Sequence, residues 1–138
     1  MPLSSETVGV SGEPLRASVD ARWTMAYAAG LGDMRAAYLD TRARPDVLAH
    51  PLFPVCFEWP AFLSTRHLPV GEQLTSDERV RGVHATHDLV LHRPLRAGDE
   101  LETRASISRV ERRPSGALQV VRLETRDAAG EPVCTTWY

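Results

Sequence analysis

From Gly82 to the end of the chain, apolar and polar positions alternate in runs separated by turn residues. The pattern predicts four strands, Gly82–Arg93, Glu100–Arg112, Leu118–Arg126 and Pro132–Tyr138. The breaks are Pro94–Asp99, Arg113–Gly116 and Asp127–Gly130. Pro94 fixes its own φ and Gly98 is free to take a positive one, so the chain reverses there. Connections this short allow only antiparallel neighbours, since a parallel crossover takes a dozen residues or more. The last strand stops at the chain terminus, which predicts an edge open to pairing with a second copy.

The N-terminal half follows a helical period. Ser18 or Asp20 can cap a helix in which Trp23, Tyr27 and Leu31 share one face, ended by Gly30 and Gly32. Before it, Thr7–Val10 predicts a short strand. Residues 33–53 look irregular. Pro51–His67 is apolar almost all round, as a helix buried on most sides would be. Pro54 suits its first turn, while Pro60 predicts a kink or break before Ala61. Residues 68–81 read as a polar connection. Helices followed by an antiparallel sheet with an apolar face give an α+β domain, its sheet wrapped on the long apolar helix, with residues 1–138 as one domain.

Composition narrows the classes. At 138 residues the chain is long enough for a core without staples. A net charge of −2 gives no field to favour nucleic acid or an anionic membrane as partner. All sixteen basic residues are arginine, which fits a GC-rich coding sequence or, alternatively, selection for phosphate and carboxylate contacts. Cys56 and Cys134 show no metal or redox spacing and read as reduced core thiols. No leader-like start and no membrane-length apolar run are present, so a cytoplasmic location is expected. No spacing implies a cofactor or metal.

Two stretches carry a resemblance. "HRPLRAGDEL" (His92–Leu101) resembles the sheet region of MaoC-like dehydratases, and the N-terminal-type domain of tandem dehydratases most of all. In the second, Gly32-Asp33 begins the element that these proteins write GD-x-N-P-x-H, and Ala49-His-Pro-Leu-Phe53 is similar to the approach to their central helix. The resemblance implies a hot-dog fold, joined edge to edge in homodimers or with another hot-dog subunit. It implies action on acyl thioesters of CoA or acyl carrier protein, as enoyl-thioester hydratase or 3-hydroxyacyl-thioester dehydratase. The pattern is incomplete: Arg35 and Ala36 stand for Asn-Pro, and Tyr38 stands where the family has its histidine.

Hydrating a conjugated thioester needs a base for water, an acid for the α-carbon and donors for the enolate-like oxygen. Asp33 is the candidate base, with Tyr38 beside it. A phenol, with an ordinary pKa near ~10, donates readily but seldom accepts. The plainer alternative is a turn-capping Asp33 and a packing Tyr38. His50, before the central helix, could meet a substrate carbonyl or be an ordinary loop residue. His84 could face the pocket, as in domains that shape an acyl tunnel, or be a bonded strand residue. Strand alternation puts His84 and His92 on one face and His87 on the other, which argues against a three-histidine metal site. Phe53 and Trp59 read as core or tunnel lining. Arg93, with Arg96, could hold a pantetheine phosphate or the CoA nucleotide, or simply be solvated. Two alternatives remain open: a catalytically silent substrate-binding subunit paired with an active hot-dog partner, and a hot-dog thioesterase.

Overall fold

The computed structural model describes residues 3–68 and 74–138. Five strands form one antiparallel sheet in the order β1-β3-β4-β5-β2, with β1 at Leu15–Ser18, β2 at Asp88–Leu91, β3 at Glu100–Arg113, β4 at Gly116–Asp127 and β5 at Pro132–Trp137. Helices α1 (Ala21–Gly30), α2 (Ala36–Leu39), α3 (Val55–Ser64) and α4 (Ser76–Val80) complete the domain. Alternation along β3 buries Leu101, Thr103, Ala105 and Ile107, and α3 packs on that face. The core is continuous from Val19, Phe53 and Phe57 to Leu101 and Val133, with a second cluster of Ala61, Ala105, Val121, Leu123 and Tyr138.

Helix α1 matches its predicted bounds. The Asp20 carboxylate accepts from the Trp23 N–H at 2.8 Å, the N-cap bond the sequence promised. Its exit is a Schellman turn: Gly32 N–H donates to Ala28's neighbour, the Ala29 carbonyl, at 2.9 Å and Asp33 N–H donates to Ala28 O at 2.9 Å. Gly32 sits at φ +74°, a conformation a side chain would strain. Leu31, expected on the apolar face, is instead exposed at this turn.

Several expectations need correction. Ser5–Thr7 is a 3-10 turn, and the first strand lies later, at Leu15–Ser18. The stretch in between still tracks β3, since Gly9 N–H donates to Ile107 O and Ile107 N–H to Val10 O. Helix α3 runs through Pro60 without a break and is shorter than the apolar run, with turns on either side. Pro60 forfeits one backbone bond, and the helix is held by its packing against the sheet. Of the polar connection, Ser76–Val80 is helical with a capping box between Thr75 and Glu78, and residues 69–73 lie outside the described part.

The largest differences lie in the sheet. Residues 82–87 are not strand, and β2 is only four residues long. It pairs with β5, not with β3, so Pro94–Asp99 is a crossover past β5 and β4 and not a hairpin turn. Leu95 explains this: it is 2% exposed, pulled into the core as its carbonyl accepts from Ala49 N–H. Strand β5 is therefore interior, between β4 and β2, and not the open edge that its terminal position suggested. The edges are β1 and β2, the latter with Val90 and Leu91 exposed.

Candidate functional site

The Schellman turn delivers Asp33 to the space before α3, where it meets His50. His50 is presented by a strap fastened on both sides: Leu48 N–H donates to Ala37 O at 3.1 Å and Ala49 N–H to Leu95 O at 2.9 Å. His50 Nε2 lies 3.6 Å from Asp33 Oδ2, both side chains being largely shielded. Tyr38, buried, stands with its ring 5.5 Å from the imidazole, and Tyr27 approaches it from α1 at 6.1 Å. Asp33 and Tyr38, five positions apart, thus form one group with His50 from further along the chain.

Their bonding defines what the group can do. Arg35 wraps Asp33, its Nε donating to Oδ1 at 2.8 Å and to Oδ2 at 3.1 Å, while a terminal nitrogen bonds Oδ2 as well. That guanidinium also rests on the Tyr38 ring, 5.1 Å from its centroid. Hydrogen bonding from Arg35 lowers the Asp33 carboxyl to about 2, with the nearby His50 contributing least. His50 Nδ1 accepts from Leu52 N–H at 3.1 Å, which assigns the proton of the neutral ring to Nε2, facing Asp33. The start of α3 offers few free donors. Phe53 N–H donates to His50 O, Cys56 N–H to Phe53 O, and Val55 N–H more loosely to Leu52 O, while Pro54 has none.

The other expected residues lie elsewhere. Phe53 is wholly buried beneath the group, edge-on to Trp23, Tyr27 and Phe57. Trp59 is 41% exposed and stacks on Phe62. Arg93 is occupied by Asp99 at 2.9 Å and Asp127 at 3.2 Å, and Arg96 by Asp46 at 3.3 Å, so their donors serve the fold. Because 82–87 is irregular, His84 and His87 are not on opposite faces as strand alternation predicted. They lean together on Tyr138, at 5.2 and 4.3 Å, while His92 bonds Thr135. Among the described residues no cluster of His, Cys, Asp and Glu is arranged to hold a metal.

Glu58 was missed. It is a lone acid in an apolar helix, and it is fully buried, accepting from Thr136 Oγ1 at 2.8 and 2.9 Å and from Cys134 Sγ at 3.5 Å. The interruption of the apolar run was itself the available signal. Burial pushes its carboxyl up, more than the bonds from Thr136 and Cys134 pull it down. A folded-state pKa above the ordinary value, about 4.3, contributes stability that is full below that value and lost as pH rises through the folded one. Wild type should therefore lose stability relative to Glu58→Gln as pH is raised from about 4 toward 8. Urea midpoints of the two proteins across that range measure it; a constant difference between them would refute a raised Glu58. Acid loss from Asp33 and Asp127, both lowered, falls in a separate window below about 4.

One curled antiparallel sheet packed on α3, with a polar group at the helix start, defines a hot-dog protein of the α+β class. The family model described as the FAS1-like, dehydratase domain region matches residues 6–136. A UPF0336 protein of Saccharopolyspora erythraea is 31% identical over 141 residues, covering 98% of this chain and 88% of that protein. Among solved structures, the C-terminally truncated HadBC (3R-hydroxyacyl-ACP dehydratase) complex of Mycobacterium tuberculosis aligns with a TM-score of 0.82 at 22% identity, covering 98% of this chain and 96% of that one. A MaoC-like dehydratase of Rhodospirillum rubrum aligns at 0.66 and 22%, covering 94% and 87%. The chain belongs to the FAS1-like dehydratase-region family, and it shares its hot-dog fold with MaoC-like dehydratases.

Proposed function

We propose that this chain is the acyl-thioester-binding subunit of a hot-dog hydratase or dehydratase, and that a hot-dog partner with an intact Asp/His pair supplies the proton transfers. The observation that carries the reading is the Arg35 clamp on Asp33. A carboxylate held near 2 by a forked guanidinium is a weak base for water. His50 does not replace the family histidine, because its Nδ1 lone pair is spent on Leu52 N–H and its Nε2 hydrogen faces Asp33. Tyr38 donates more readily than it accepts. The backbone donors expected for an enolate oxygen are largely engaged at the start of α3. A hydratase working alone through Asp33 and Tyr38, the first reading of the sequence, would have to open the clamp.

The HadBC structure is named as a complex, which supports a hot-dog partner here, as do the exposed Val90 and Leu91 on the β2 edge. The test follows the absorbance of a conjugated enoyl-CoA. The purified chain alone should leave it unchanged, and the chain co-purified with a hot-dog subunit bearing Asp-x4-His should remove it. Turnover by the chain alone, abolished by Asp33→Asn, would overturn the proposal in favour of a self-sufficient hydratase. Release of free thiol from saturated acyl-CoA would point to a thioesterase instead.

A further inference from the structure

Ten of the sixteen arginines have a carboxylate within 4.0 Å. Among the described residues, six do not, and four of those six, Arg66, Arg79, Arg81 and Arg112, line one cleft. The cleft, about 1000 Å³, lies at the far end of α3 from His50, between α4, the irregular segment after it and the β3–β4 hairpin. Its apolar side includes Phe62, Leu118, Val121 and Tyr138. Glu78 is a carboxylate in this lining, and it is engaged by Thr75, whose N–H and Oγ1 both lie 2.9 Å from Oε2.

Cationic side chains with no carboxylate within 4.0 Å among the described residues, gathered over an apolar surface, fit a ligand with an anionic end and an uncharged body. An acyl tail carries no charge at its far end. On a thioester substrate the anion is the phosphate at the other end of the pantetheine arm, and guanidinium forks match phosphate geometry. Arg93 and Arg96, the phosphate candidates in the sequence, are already filled by carboxylates. We infer that this cleft seats the phosphate of a pantetheine-borne thioester on Arg66, Arg79, Arg81 and Arg112, with the arm lying against Phe62, Leu118 and Tyr138. The inference rests on the thioester-binding reading above and adds to it where the charged end of the substrate is held.

Calorimetric titration of the full chain tests it with three probes: octanoyl-CoA, octanoyl-4′-phosphopantetheine and octanoyl-pantetheine, which lacks phosphate. Octanoyl-CoA should bind at least about tenfold more tightly than octanoyl-pantetheine, and the paired change Arg79→Gln with Arg81→Gln should remove that advantage. In the unaltered protein, raising salt to about 0.3 M should weaken octanoyl-CoA and leave octanoyl-pantetheine unaffected, a readout independent of any variant. Octanoyl-4′-phosphopantetheine binding like octanoyl-CoA supports the seat through the phosphate common to CoA and carrier protein. Binding well below octanoyl-CoA, yet lost in the paired variant, supports it through the nucleotide phosphates. Equal, salt-insensitive binding of octanoyl-CoA and octanoyl-pantetheine would remove the phosphate seat and leave the thioester reading standing. No binding of any of the three would sink both.

Discussion

Phe53→Ala is expected to cost about 3–5 kcal/mol of folding stability, the range for truncating a buried aromatic ring. The ring is 0% exposed and meets Trp23 at 4.9 Å, Tyr27 at 5.6 Å and Phe57 at 6.1 Å, each edge-on. Its neighbours here are ring surfaces, and the Tyr27 hydroxyl among them is already committed to Leu52 O at 3.0 Å, so truncation would leave a largely apolar space. Domains of this size commonly hold only about 5–15 kcal/mol in total, so the variant should be close to its unfolding threshold. Phe53→Leu, which keeps most of the volume, should lose much less, about 1–2 kcal/mol. Urea denaturation of the three proteins decides the matter. A loss under about 1 kcal/mol for alanine would mean that this end of the core rearranges freely.

Arg93→Gln should be the costliest change outside the apolar core, at about 2–4 kcal/mol. Arg93 reaches Asp99 with both terminal nitrogens, at 2.9 and 3.1 Å, and Asp127 with one, at 3.2 Å. It thereby fastens the start of the crossover to its end and to the β4–β5 turn. All three side chains are less than a third exposed, so two carboxylates would be left shielded without their cation. Arg93→Lys should recover only part of the loss, because an ammonium cannot fork. Equilibrium unfolding at neutral pH is the measurement, and a change within about 0.5 kcal/mol for glutamine would show the network to be ornamental.

The sequence revealed the layers of this fold better than its connections. Alternation in Glu100–Arg112 and Leu118–Arg126 and the apolar run before His67 were enough to place a helix against a sheet. They could not show which strand neighbours which. Pro94 and Gly98 do turn the chain, but whether a turn closes a hairpin or carries the chain past other strands depends on where Leu95 is buried, a long-range matter. The same blindness affected the histidines. Strand alternation separated His84 from His87 because it extended a strand across residues that do not pair.

At the candidate site, Asp33 and Tyr38 could be found by their spacing, and the substitution of Arg35 for the family's asparagine was visible. Its consequence was not, since only geometry shows that a guanidinium two residues away folds back on the carboxylate. His50 comes to Asp33 through the strap bonds of Leu48 and Ala49, both made to distant segments. Glu58 stood in plain view as the one charge among nine apolar neighbours, and the weight given to hydrophobicity obscured it.

Strand β2 has a further consequence. A rim four residues long offers a newcomer only a few main-chain bonds, and such bonds are indifferent to side-chain identity. Telling a copy of this chain from a different subunit would then fall to the shape of the residues around Val90 and Leu91. Small changes there could redirect whom the protein associates with while leaving its own folding untouched.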